Sequence, residues 1–146
     1  MDNVLDIEKI QELLPQRFPF LLIDRIVELA PAQKVVAVKN VSINEGFFSG
    51  HFPGRPVMPG AMLIEAMIQA SMVMFYSGQV SAACRKPLYS LSSMKAKFVH
   101  PVLAGNQVRI TANAIKSESS VAIVAAEASV EGKEAARAEL IFRLEL

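Results

Sequence analysis

The chain has 146 residues, 52% of them hydrophobic, and a formal charge of +1 at neutral pH. That length suits a single domain over 1–146, able to bury about two thirds of its unfolded surface. The charge offers no broad basic face for nucleic acid, and a lone Cys84 allows no internal disulfide, as expected of a cytoplasmic protein.

The first residues, Met1 to Lys9, lack the basic and apolar regions of a signal peptide. Asp6 stands where it can cap a short helix in which Ile7, Ile10, Leu13 and Leu14 share a face and which Pro15 ends. Phe20–Leu29 and Gln33–Asn44 read as two strands around the turn Ala30-Pro31-Ala32.

From Gly60 to about Tyr76 the residues predict a helix that is apolar on every face and therefore buried on all sides. Residues 66–84 carry no charge, which raises the question of a membrane span. Gln69, Ser71, Ser77, Gly78, Gln79 and Ser81 make the segment too polar, so a core helix is predicted.

Four more strands follow: Pro87–Val99, Gln107–Lys116, Ser120–Val130 and Ala135–Leu146. Glu131-Gly132-Lys133 marks a hairpin turn between the last two. Val108, Ile110, Ala112 and Ala114 alternate with Arg109, Thr111 and Asn113, the pattern of a sheet with one buried face. The class is α+β, an antiparallel sheet curled about one long apolar helix. One chain is not expected to surround such a helix completely, so a second subunit is predicted to finish the cover.

The chemistry concentrates in residues 50–69. His51, one of two histidines in the chain, sits where Pro53, Pro56 and Pro59 interleave with Gly50, Gly54 and Gly60. Prolines fix φ and glycines open other backbone angles, so the loop is suited to holding one shape. It runs directly into the apolar helix, whose only carboxylate is Glu65. Gln69 lies four residues on, on the same face, where its amide can orient the acid. Burial would raise the Glu65 pKa and favour its protonated form. Gly60 opens the helix, where unpaired N–H groups at the positive end of the dipole can bind an oxyanion. Taken singly, a loop histidine is more often a structural hydrogen-bonder, and a buried acid is as readily half of a structural pair. Together at this spacing they point to proton transfer.

Four stretches carry a family resemblance. They are Leu14-Pro15-Gln16-Arg17-Phe18-Pro19-Phe20-Leu21-Leu22-Ile23-Asp24-Arg25, Asn44-Glu45-Gly46-Phe47-Phe48, His51-Phe52-Pro53-Gly54-Arg55-Pro56-Val57-Met58-Pro59-Gly60, and Glu65-Ala66-Met67-Ile68-Gln69. The chain resembles the bacterial (3R)-hydroxyacyl-acyl-carrier-protein dehydratases of the FabZ type. The resemblance implies a hot-dog fold and homodimers commonly assembled as a trimer of dimers. It implies a place in type II fatty-acid synthesis, where a (3R)-hydroxyacyl chain on acyl carrier protein is dehydrated to the trans-2-enoyl chain. It also implies active sites at the dimer interface, with the histidine from one subunit and the acid from the other.

Carried over by the resemblance, His51 removes a proton from C2, Glu65 protonates or positions the departing hydroxyl, and the Gly60 N–H holds the thioester carbonyl. The Val57 carbonyl fixes the histidine ring, and Gln69 orients Glu65. The glutamate, where related dehydratase–isomerases carry aspartate, implies simple dehydration. Neither metal nor cofactor is called for, and the sequence offers no spaced ligand cluster for a metal. Tyr89 falls where the family often has an aromatic at the acyl-tunnel mouth, though it reads equally as an aromatic packed on a strand. Arg85, Lys86, Lys95 and Lys97 either steer the acidic carrier protein or are solvated surface. Met58, Met62 and Met67 either line a flexible tunnel or fill core gaps. The chain departs from the family pattern at Gln16, Met94 and Val99-His100, and His100 reads as structural. Two rivals within reach of the fold are an acyl thioesterase and a non-catalytic acyl-thioester sensor.

Overall fold

The computed structural model describes residues 4–78, 88–118 and 120–145. Cys84, Arg85 and Lys86 lie outside the described residues. In chain order the elements are α1 (Ile7–Leu13), β1 (Arg25–Ala30), β2 (Lys34–Asn40), a short 3-10 helix (Gly46–Ser49), α2 (Gly60–Tyr76), β3 (Leu88–Phe98), β4 (Gln107–Glu118), β5 (Val121–Val130) and β6 (Lys133–Glu145).

Local chemistry sets several of these limits. Asp6 caps α1, its carboxylate accepting the Lys9 N–H at 3.0 Å. Leu14, extended before Pro15, stops the helix, and the Arg17 guanidinium donates to the Gln11 carbonyl in the last turn and to the Leu14 and Gln16 carbonyls beyond it. Between β5 and β6 the turn is only Glu131-Gly132, both with positive φ (51° and 79°), a primed two-residue hairpin. That brings Lys133 opposite Val130, so β6 starts two residues before the predicted Ala135.

The six strands form one antiparallel sheet in the order β1-β2-β4-β5-β6-β3. The alternation along β4 is observed: Val108, Ile110 and Ala112 are buried while Arg109 and Asn113 are exposed. α2 packs on β2, β4 and β5 of this sheet and also touches β3 and α1. Its C-terminal end is tied down by the β1–β2 turn, where the Ala32 N–H donates to the Met74 carbonyl at 3.0 Å. Among the described residues no helix is long and apolar enough to cross a membrane.

Two strand limits need correction. β1 begins at Arg25 rather than Phe20, and β2 ends at Asn40 rather than Asn44. Upstream of β1 the backbone is claimed by Gln69 of α2: its amide nitrogen donates to the Phe20 carbonyl, and its oxygen accepts the Leu22 N–H, each at 2.8 Å. Beyond β2, Val41 leaves the ladder for Gly105 and Asn106, and Ser42 to Glu45 turn back on themselves.

The single chain covers most of α2 but, as expected, not all of it. From Ala66 to Tyr76 every residue but Ile68 is buried within the single chain. The sheet covers one flank, and α1 with Leu14, Leu22 and Ile23 joins the same core cluster. What the chain leaves open is a short strip near the helix start, Ala61, Met62, Glu65 and Ile68. The long helix wrapped by an antiparallel sheet is the hot-dog arrangement.

Candidate active site

The loop before α2 is built from turns. Phe52 and Arg55 exchange two backbone hydrogen bonds at 2.9 Å around Pro53-Gly54, where Gly54 has φ +80° as the third position of a type II turn demands. Downstream, the Met58 N–H donates to the Val102 carbonyl at 2.8 Å, and Val57 bridges to Leu103. The loop is thus pinned to the segment after β3.

His51 is half-buried at the start of this loop. Its Nδ1 lies 2.8 Å from the Val57 carbonyl, which can only accept, so Nδ1 carries the proton and Nε2 is left as the basic nitrogen. The Phe52 ring stacks on the imidazole with centroids 4.0 Å apart. The peptide joining the two residues is cis.

At the start of α2, Pro59 occupies the capping position and offers no side-chain cap. Its carbonyl takes the N–H groups of Met62 and Leu63, at 3.0 and 3.1 Å. Gly60 and Ala61 are left as the orphan donors at the positive end of the helix. His51, Val57, Gly60, Leu63, Phe98 and His100 line a common cleft of about 420 Å³. A larger hollow of about 530 Å³, bounded by Lys95, Thr111, Glu127 and Arg137, contains neither histidine. The smaller cleft is the one that brings an imidazole and the open N-terminus of a helix together.

Glu65 stands elsewhere. It follows Leu63 by two residues, about 200° around the helix, and so faces away from the cleft that Leu63 lines. It lies on the open strip with Met62 and Ile68, half-buried. Burial lifts its carboxyl pKa above the ordinary 4.5, partly offset by the Gln69 amide, which donates to Oε1 at 3.2 Å. Gln69 is fully buried, and its other two bonds hold the Phe20–Leu22 backbone, so the group that orients Glu65 is itself fixed.

Tyr89 belongs to a third cluster. It stacks on Phe75 with centroids 4.9 Å apart and lies 6.0 Å from the Tyr76 ring. Burial raises the pKa of both phenols. Phe75 is fifteen residues beyond Gly60, about 22 Å along the helix axis. Within one chain, then, the structure joins His51, Val57 and Gly60, joins Glu65 to Gln69, and brings Tyr89 to neither group.

Two residues lining the cleft were not foreseen as part of it. Phe98, at the end of β3, packs against Gly60, and His100 lines the cleft. A large aromatic followed closely by Pro101 was the available sign that β3 ends on something. No group of three or more His, Cys, Asp or Glu able to hold a metal occurs among the described residues.

Comparisons with known proteins place the chain in a family. A FabA-like domain matches residues 14–139. The 3-hydroxyacyl-[acyl-carrier-protein] dehydratase FabZ of Geotalea uraniireducens is 46% identical over 136 residues, 93% of this chain and 94% of its own. That of Geobacter metallireducens is 44% identical over 140 residues, 96% of this chain and 93% of its own. Among solved structures, the dehydratase heterocomplex ApeI:P from Xenorhabdus doucetiae superposes with a TM-score of 0.74 at 20% identity, covering 94% of this chain and 91% of that one. This last likeness speaks for the fold alone. With a FabA-like match across most of its length and relatives of one name over nearly all of it, the chain belongs to the FabZ-type 3-hydroxyacyl-[acyl-carrier-protein] dehydratases.

Proposed function

We infer that this chain dehydrates (3R)-hydroxyacyl-acyl-carrier-protein to the trans-2-enoyl thioester in fatty-acid biosynthesis, using His51 as base and Glu65 as acid. The observation that carries the assignment of roles is the His51–Val57 hydrogen bond, which leaves Nε2 free to take a proton. A C2 proton is weakly acidic and hydroxide leaves poorly. Nε2 takes the C2 proton while the Gly60 N–H bears the charge gathering on the thioester oxygen. The electron pair forms the C2–C3 double bond, the C3–O bond breaks, and the Glu65 proton leaves with the oxygen as water. Each proton-transfer group contributes about 10²–10⁴-fold. Burial favours the protonated form of Glu65, the form that this step uses.

His51 and Glu65 act in one site only when two chains combine. Glu65 faces away from its own His51 cleft and lies on an open apolar strip with Met62 and Ile68. Phe18 is 96% exposed close by in sequence to the Gln69-bound Phe20. Among the described residues β3 is an edge strand of the sheet, and it carries exposed Leu91, Met94 and Phe98. Such an edge and such a patch favour self-association. The active unit is therefore a homodimer with composite sites, which the family resemblance extends to a trimer of dimers working in the cytoplasm. Tyr89 and its aromatic neighbours bound the acyl tunnel.

The test is incubation with 3-hydroxyacyl-carrier-protein of several chain lengths and mass analysis of the products. Loss of one water from the intact thioester is expected. Release of free hydroxy acid would mark a thioesterase, and an unchanged substrate a binding protein.

A further inference from the structure

Lys39 occupies a core-facing position. On β2, Val35 and Ala37 point into the main core, as does Val41 just past the strand, and Lys39 falls in phase with them at 5% exposure. An ammonium placed there is costly unless paired. Its Nζ meets Glu45 Oε1, and Glu45 Oε2 accepts the Ser42 N–H at 3.2 Å. Glu45 is also the residue that opens the 3-10 helix, where its carbonyl accepts the Phe48 N–H at 3.1 Å. Its side chain makes no capping bond to that helix, because it is drawn back to Lys39. Phe48 is buried in the core, and the Gly50 N–H closes the turn on the Phe47 carbonyl. His51 is the next residue.

The proton transfers make no use of this pair, and Asn44-Glu45-Gly46-Phe47-Phe48 has no other role in the site. A buried ion pair is weak evidence for stability, since apolar replacements of both partners are often neutral or better. A charge-assisted hydrogen bond is short and directional, however, and so suited to fixing an angle. We propose that Lys39 and Glu45 are positioning residues for dehydration, aiming His51 by fixing where the 3-10 helix leaves β2. They act through residues 46–50 and touch no reacting atom. The proposal rests on His51 being the base.

Two disrupting variants, one restoring variant and two readouts test it. Lys39→Met keeps the stem and removes the ammonium. Glu45→Gln keeps the shape and a bond to Lys39 but loses the charge. In each, kcat is expected to fall at least ~10-fold with KM within about twofold, since a misplacement of 1 Å can cost ~10²-fold in rate. Lys39→Arg, which restores the charge, is expected to recover most of the loss. NMR of the imidazole nitrogens is the second readout, and with two histidines in the chain His100→Gln assigns the His51 signals. Wild-type His51 is expected to be the single Nδ1-protonated tautomer, and the variants to show a tautomer mixture.

A folded Glu45→Gln chain with wild-type kcat and a single His51 tautomer would overturn the proposal, whether or not Lys39→Met folds. So would a kcat loss that only tracks the unfolded fraction. If instead His51→Ala retains turnover, the reading of His51 as base fails, while the tautomer comparison still reports whether the pair orients the ring.

Discussion

The Phe98 ring lies so close to Gly60 that a methyl group on the glycine would come within 2.9 Å of two ring carbons. Glycine at the helix start thus makes room for the aromatic wall of the cleft while its N–H stays available to a thioester oxygen. Gly60→Ala is expected to push the ring out of place and lower kcat/KM at least ~10-fold, the cost of about 1.4 kcal/mol. Adding Phe98→Leu should restore most of that loss, as the smaller side chain relieves the contact. Equal kcat/KM in the single and double variants would show that the ring is not the cause.

His51→Ala is expected to abolish dehydration while shifting Tm by only a few degrees. The half-buried ring contributes little to the core, and Val57, whose carbonyl it leaves, is itself only half-buried. Turnover assays with thermal unfolding of the same preparation separate the two effects.

For Glu65→Gln, shape and hydrogen-bonding capacity persist but the proton donor is gone, so turnover should fall at least ~10²-fold. Stability should move the other way at neutral pH. The folded carboxyl pKa is raised by burial, so its favourable contribution is complete below the ordinary 4.5 and is lost as pH rises through the raised value. The variant escapes that loss. Urea midpoints of the two proteins should therefore diverge in the variant's favour as pH climbs above about 4.5, and parallel curves would mean that Glu65 is not desolvated.

Gln69→Leu should behave as a structural lesion. It leaves the Phe20 carbonyl and the Leu22 N–H without their buried partner, each costing about 1–3 kcal/mol. Denaturant unfolding is expected to show a loss of about 2–6 kcal/mol, partly recovered by Gln69→Glu at low pH, where the protonated acid can again donate.

Where one short-range rule governs, the sequence is readable. The mostly apolar run of α2, with apolar residues on every face, marks its extent from Gly60 to about Tyr76, and the alternation in β4 marks its buried face. The late start of β1 depends on Gln69, 47 residues beyond Leu22, and no local pattern announces that bond. The same segment makes no ladder of its own, which is why its part in covering α2 is invisible in periodicity. His51, Glu65 and Gly60 stand out by residue type and spacing, whereas the partnership of His51 with Val57 came from family resemblance. Lys39 and Phe98 owe their roles to contacts across the fold, with Glu45 and with Gly60.

The composite site can be tested by subunit exchange. His51→Ala and Glu65→Gln chains, each inactive alone, are unfolded together and refolded as a mixture. In a two-fold dimer with shared sites, a mixed dimer holds one doubly damaged site and one intact site. Random pairing makes about half the dimers mixed, so roughly a quarter of wild-type activity should return. A mixture shown by mass to contain mixed dimers, yet still inactive, would contradict the sharing of His51 and Glu65 between chains.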